Sequence, residues 1–496
     1  MLAVLHDNGV DAKFVDEQVE EHPFERIQEQ LKGMQKPYIF GFSVLTAAFK
    51  SAIELSSRLK QAYPGSIIIF GGLHPTSMPD EVLSYPHIDY VFRGESESPL
   101  LEFYRNTRDN KDISHIPNLS YRKNGKVVHN PMNTKPEETP VFPYHLFDPT
   151  KYDLGFILSS RGCPYNCIFC SNRLSTGKKY RYKESEAILA KLERLYSKYG
   201  RKYVLFLDDN FLVDRKRVYE LIAGIKKRGL HEKMTFNFQA RGDNVDYQLL
   251  KDLYEAGFRS IFFGLETASE KLMRLIQKGE TVEQCKRAVK MAKHIGFHVS
   301  ATFIYGLPGE TFQDRMRSVA LSQELDLDMV RFNNATPYPG TELFNMAKQE
   351  HRLRIIGLYE NFNSVSTFVE NPFNPIPMSY IPKGSTEAEI RRDILYSYFS
   401  FYLNFGRLKK IFFNPDKGVG WFNAGESPLA FLKKIPPLAF LAFMMLVKLV
   451  QLFFYVVIKP ETRISLNHFF ALARYFFYKP EPYTPSQTET VTAGRT

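Results

Sequence analysis

Cysteine is scarce in this chain of 496 residues: there are four, and three of them sit within "SSRGCPYNCIFCSN" as Cys163, Cys167 and Cys170. Thiols so few and so clustered do not make a disulfide framework; in a reducing compartment they point to a metal or cofactor site. Signs of extensive disorder are lacking too, since 44% of the residues are hydrophobic, 14% aromatic and 24% charged. Only the end, "TPSQTETVTAGRT", reads as a frayed tail. No leader-like pattern opens the sequence, because "MLAVLHDNGV" enters a helix directly, so a cytoplasmic protein, free or on the cytosolic face of a membrane, is expected. One apolar run, Leu438 to Ile458, has the length of a bilayer span, yet it contains Lys448 and Gln451. A spanning helix, an in-plane helix on the cytosolic leaflet and a helix packed on the protein all remain open for it.

The net charge of +11 is unevenly spread. From Lys383 to Lys479 there are fourteen Lys and Arg against six Asp and Glu, a surplus of eight. The same stretch is the most aromatic and apolar part of the chain, which favours an anionic membrane surface over nucleic acid as partner.

The length calls for two or three domains. Residues 1–112 alternate the apolar runs "AKFVDE", "YIFGFSV", "SIIIFGG" and "IDYVFRGE" with helix-like stretches, the pattern of a parallel sheet buried on both faces. This predicts a doubly wound, Rossmann-like α/β domain that lacks its first strand, since Met1 falls in what should be the first helix. Residues 113–153 read as a hairpin turning at Asn124 and Gly125, followed by a proline-rich linker. Over 154–345 the alternation restarts: "LGFILSS", "YVLFLDDNF", "KMTFNFQAR", "FRSIFFGLET", "HVSATFIYGLPG" and "DMVRFNNATPYPG". Six strand–helix units predict a partial (β/α)6 TIM-type barrel, whose chemistry belongs at the C-terminal strand ends. Those ends carry Asp208, Asp209, Gln239, Arg241, Glu266 and Asn333. Residues 346–480 form a helical extension, and 481–496 a disordered tail.

The spacing C-x3-C-x2-C follows the first barrel strand. Zinc cages and most iron–sulfur clusters take four protein ligands, so three thiolates on a four-iron cluster leave one iron open to an outside ligand. A zinc site missing one ligand is the weaker reading, because Cys285 lies in a separate helical pattern, where a small apolar filler is expected, and no neighbouring histidine completes the set.

On these residues, with Phe169 before the last cysteine, the sequence resembles the radical SAM superfamily. The resemblance implies a 4Fe-4S cluster on Cys163, Cys167 and Cys170, with S-adenosylmethionine chelating the fourth iron and an external electron donor such as flavodoxin or ferredoxin. It further implies that Asp208 or Asp209 in "FLDDNF" meets the SAM amino group, that Arg241 pairs with its carboxylate and that Glu266 lies near its ribose or amino acid part. Backbone around Ile304 and Gly306 in "FIYGLPGET" would meet the adenine.

The first domain resembles the cobalamin-binding domain of cobalamin-dependent radical SAM enzymes, the group of hopanoid methylases and oxidative cyclases. Its matching residues are Gly41, Ser43, Gly71, Gly72, Arg93, Gly94 and Glu95, just past strand ends where small residues admit a large flat cofactor. His74 faces the corrin or is an ordinary loop histidine. The D-x-H-x-x-G motif is absent. The function implied is methylation or other modification of an unactivated carbon, in an apolar or lipid substrate. A radical SAM cyclase or sulfur-inserting enzyme, and a non-catalytic iron–sulfur or cobalamin-binding membrane protein, are the alternatives.

Overall fold

The computed structural model describes residues 1–133, 142–364, 370–408, 428–462, 464, 470, 472–476 and 478. The expected tail, 481–496, lies outside them. Two compact units divide the chain: Met1–Gln239 with Pro337–Gln349 and Ile355–Phe362, and Ala240–Thr336 with Glu350–Arg354 and Asn363–Thr496.

The first unit opens with strands β1 (Ile39–Ser43), β2 (Ile67–Gly71) and β3 (Tyr90–Phe92), which run parallel. The helix Phe49–Ala62 crosses from β1 to β2 and buries Phe49, Ala52, Ile53, Ser56 and Leu59 at helical spacing. The hairpin strands β4 (Leu119–Lys123) and β5 (Lys126–His129) turn at Asn124 and Gly125, both with positive φ. The sequence set this hairpin apart from the first domain, but β4 pairs antiparallel with β3 and completes the same five-stranded sheet. Its hydrophobic entry explains why: Ile116 and Leu119 are fully buried in one cluster with Ile69, Phe92 and Phe103. The expected strand "AKFVDE" is irregular instead, and its Phe14 ring meets Phe147 with centroids 5.1 Å apart.

Five further strands follow in chain order: β6 (Phe156–Ile157), β7 (Ser160–Arg161), β8 (Arg181–Tyr182), β9 (Tyr203–Phe206) and β10 (Thr235–Ala240). β6, β9 and β10 are parallel neighbours, whereas β7 and β8 form a separate antiparallel ladder. The second unit contains β11 (Phe258–Glu266), β12 (His298–Tyr305) and β13 (Met329–Asn334), again parallel. Their helices Val282–Ile295 and Phe312–Glu324 start at capping boxes built on Thr281 and Thr311. The six expected parallel strands are thus present, β6, β9 and β10 (up to Gln239) in the first unit and β11, β12 and β13 in the second. β6 and β13 each have one paired neighbour and are edges.

The helix Glu387–Tyr402 covers the β13 edge, and every residue from Ile390 to Phe401 is buried. A second helix, Pro428–Phe453, continues as a π turn over Phe454–Ile458. Met445, Leu449, Leu452 and Val456 pack it against Leu395, Tyr396 and Phe399. The spanning alternative for Leu438–Ile458 is corrected here: among the described residues no helix is long and apolar enough to cross a membrane. Lys448 interrupts the run, and it is turned inward and buried, where desolvation lowers its pKa to about 8 against the pull of Glu370.

Candidate active site

The β7/β8 ladder is the neck of a loop, 162–180, that carries the three cysteines. The two ends of the loop touch. Gly162 has φ +86°, and a Cβ there would overlap the Lys179 carbonyl oxygen; Cys163 N donates to Gly177 O at 3.3 Å. Asp208 and Asp209, just past β9, hold the loop from below. Asp208 accepts from Ser159 N at 2.7 Å and Ser160 N at 3.0 Å, with Arg217 at 3.5 Å behind it. Asp209 accepts from Gly162 N at 3.3 Å, Asn172 Nδ2 at 2.8 Å and Thr176 Oγ1 at 3.1 Å. Asp208 is buried with its oxygens already taken, so its place is in the loop's foundation rather than against a ligand. Asp209 is partly exposed.

Cys163, Cys167 and Cys170 are partly exposed, while Cys285 is buried in the helix Val282–Ile295. Burial pushes the Cys170 thiol up to about 11, and Cys167, Cys163 and Asp209 push the same way. Metal binding at this loop must therefore displace a proton. Three thiols come from one loop, and a four-iron cluster takes one thiolate on each of three irons. The donor set fits a four-iron cluster.

In the five-stranded sheet, Gly41 and Ser43 are exposed on β1, and nothing lies within 4 Å of where a Gly41 Cβ would be. Gly71 ends β2, and Gly72 (φ +97°) passes so close to β1 that a Cβ would lie 2.7 Å from Val44 N. Gly94 (φ +64°) donates its N–H to Thr76 Oγ1 at 2.9 Å. The small residues at these strand ends suit the approach of a large flat ring, with Met132 packed against Gly94. The other sequence candidates are engaged within the protein. Arg93 donates to the Asn130 carbonyl. Glu95 spends both oxygens on Arg161 at 2.9 Å and Arg181 at 2.6 Å. His74 is fully buried between the rings of Phe49 and Tyr359, 4.1 and 4.9 Å away between centroids. Burial lowers its pKa to about 4, so it is neutral, and its ring is enclosed by protein side chains. A hydrophobic pocket built in part by the distant Tyr359 is what the local sequence around His74 could not reveal.

The second unit gathers its polar groups at strand ends. Glu266 closes β11 in a left-handed conformation, φ +60°, just after a bulge. Lys278 Nζ lies 3.0 Å from Glu266 Oε1 and 3.6 Å from Glu280 Oε1, all three buried. Glu280 Oε2 accepts from Gly242 N at 2.7 Å. Glu266 Oε2 is buried without a hydrogen-bond partner among the described residues, an orphaned acceptor suited to a polar ligand. Arg241 is forked onto Asp243, at 2.9 and 3.0 Å, in the geometry expected toward a ligand carboxylate. Past β12, Gly306 N donates to Glu310 Oε2 at 2.5 Å, and Arg315 approaches the same oxygen at 3.3 Å. Glu310 thereby fixes the turn at Gly306, just past Ile304 in β12. Sequence reasoning passed over Lys278, Glu280 and Glu310; the signal available was charge packed among glycines in "QKGET" and "GLPGET".

A three-thiolate loop beside parallel strand ends, following a doubly wound domain with a glycine rim, defines an iron–sulfur enzyme with a second, flat cofactor. Residues 157–321 match the Radical SAM superfamily and residues 1–103 the B12 binding domain. An uncharacterized methyltransferase of Pyrococcus horikoshii is 32% identical over 402 residues, covering 79% of this chain and 84% of its own. The anaerobic magnesium-protoporphyrin IX monomethyl ester cyclase of Cereibacter sphaeroides is 24% identical, over 83% of this chain and 66% of its own. Among solved structures, the cobalamin-dependent S-adenosylmethionine radical enzyme OxsB, with aqua-cobalamin and S-adenosylmethionine bound, superposes with a TM-score of 0.65 at 18% identity, covering 95% of this chain and 72% of that one. At that identity the likeness is one of fold. The chain belongs to the B12-binding radical SAM superfamily: it is an enzyme of the methyltransferase and cyclase type whose cofactors are a 4Fe-4S cluster, S-adenosylmethionine and cobalamin.

Proposed function

We propose that this enzyme methylates, or otherwise modifies, an unactivated carbon of an apolar substrate, a lipid or isoprenoid-like molecule, at the cytosolic face of a membrane. The observation that carries the chemistry is the cysteine loop, in which three partly exposed thiols are held by a closed neck and by Asp209. The substrate class is supported by the C-terminal helix and π turn, whose face opposite the packed side exposes Phe440, Phe443, Leu446, Val450, Phe454 and Ile458.

What the bound groups supply is one-electron cleavage of S-adenosylmethionine and a transferable methyl group. Cys163, Cys167 and Cys170 hold the cluster. Glu266, oriented by Lys278, offers Oε2 to the polar end of S-adenosylmethionine. Glu310 keeps the Gly306 turn in place for the adenine. Gly41, Ser43, Gly71, Gly72 and Gly94 make the rim for cobalamin. The electron comes from a donor of the flavodoxin or ferredoxin kind.

A second reading, ring closure without methyl transfer, is favoured by the likeness to the cyclase. Anaerobic reconstitution and turnover with methyl-deuterated S-adenosylmethionine separates the two: label in the product supports methyl transfer, and unlabelled product supports cyclisation. Cys163→Ala should abolish 5'-deoxyadenosine formation, and an unchanged yield would overturn the assignment of the loop.

A further inference from the structure

We propose that Glu95 is a positioning residue for the iron–sulfur cluster: by bridging Arg161 and Arg181 it closes the neck of the cysteine loop and ties that loop to the turn after β3. The proposal rests on the radical SAM reading above.

Arg161 and Arg181 are direct cross-strand partners in the β7/β8 ladder. Like charges set opposite one another weaken a ladder, and this one is only two residues long on each side. The neck closes because carboxylates intervene. Glu95 Oε1 meets Arg161 Nη1 at 2.9 Å, and Glu95 Oε2 meets Arg181 Nη1 at 2.6 Å. Glu97 Oε1 takes the second Arg161 nitrogen at 2.9 Å. All four side chains are less than a fifth exposed, so solvent screens them weakly and loss of a carboxylate leaves guanidinium charge poorly compensated. Burial works against the Glu97 carboxylate, yet the Arg161 charge and hydrogen bond outweigh it and hold its pKa below the usual range. Arg181 also reaches into the loop, donating to Thr176 O at 2.8 Å.

The other end of the bridge is rigid. The Glu95 carbonyl accepts from Asn118 Nδ2 at 2.5 Å, and Ser96 Oγ donates to Arg93 O at 3.1 Å. Adjacent Gly94 belongs to the proposed cobalamin rim. A single side chain therefore joins that rim to the base of the loop bearing the thiols.

The test uses the full chain, reconstituted anaerobically, as wild type, Glu95→Gln, Glu95→Asp, Arg161→Gln and the Glu95→Gln/Arg161→Gln double variant, with Glu102→Gln as a surface control. Readouts are iron retained under chelator challenge, the EPR signal of the reduced cluster with and without S-adenosylmethionine, and hydrogen exchange over 160–182 in the metal-free chain. Glu95→Gln should lose iron about tenfold faster and exchange faster across the neck. Glu95→Asp, which keeps the charge, should recover part of both. The double variant should be no worse than the weaker single, because one arginine of the opposed pair is gone. Iron retention and exchange of Glu95→Gln equal to wild type, or strictly additive losses in the double variant, would overturn the proposal. A wild-type chain that holds no four-iron cluster would overturn the parent reading as well, so the two failures are distinguishable.

Discussion

Glu310 shows how much one buried carboxylate can govern. It accepts the Gly306 N–H and lies beside Arg315, which itself is bound to Asp393 at 2.6 Å. Desolvation is the largest influence on it and raises its pKa to about 7, with Arg315 and the Gly306 N–H pulling the other way. A carboxyl whose folded pKa lies above its unfolded value binds its proton more tightly when folded. Its stabilising contribution is complete below the unfolded value of 4.5 and is lost as pH rises toward about 7. Glu310→Gln keeps an acceptor for Gly306 and removes the titration. The thermal midpoint of the wild type should therefore fall more between pH 5 and pH 8 than that of Glu310→Gln; parallel pH profiles would mean that Glu310 does not titrate in this window.

At the level of elements, the open edge of β13 is closed by tyrosine hydroxyls. Tyr402 Oη donates to Val330 O at 2.9 Å and accepts from Val330 N at 3.1 Å, and Tyr398 Oη accepts from Phe332 N at 3.1 Å. A free strand edge is a template for aggregation, and here the helix Glu387–Tyr402 supplies the missing partners in place of another strand. Burial raises the Tyr402 pKa to about 12, so the hydroxyl stays protonated and can both give and accept. Tyr402→Phe leaves the Val330 N–H and C=O unpaired and should cost about 1–3 kcal/mol. Chemical denaturation together with hydrogen exchange at the Val330 amide measures it. An unchanged midpoint with unchanged exchange would show that water or a shifted side chain replaces the hydroxyl.

For the whole molecule, the question is what surface it works against. The C-terminal helix is apolar on two sides: one packs on Leu395 and Phe399, and the other carries Phe440, Phe443, Val450 and Phe454 exposed. With the basic surplus of the surrounding sequence, this arrangement suits an in-plane helix on an anionic bilayer. The expected result is flotation of the full chain with vesicles containing phosphatidylserine and weaker flotation with neutral ones. Phe443→Glu/Val450→Glu should remain in the dense fraction with iron content intact. Equal flotation of wild type and variant would remove the membrane from the proposal and leave the exposed face to another partner.

Sequence alone determined the parts whose cause is local. The β-branched runs set the parallel strands, Asn124–Gly125 set the hairpin turn, Thr281 and Thr311 start helices, and C-x3-C-x2-C marks the cluster loop. Each follows from short-range chemistry within a few residues. Tertiary structure decided which polar groups remain available for a ligand. Asp208 and Glu95 resemble ligand contacts in the sequence and are consumed by Ser159 and by Arg161 with Arg181, while Glu266 keeps one oxygen unpaired. His74 became neutral through Phe49 and Tyr359, the latter hundreds of positions away in the chain. Desolvation and pairing are properties of the space around a group, and residues far apart in the chain fill that space only once it has folded.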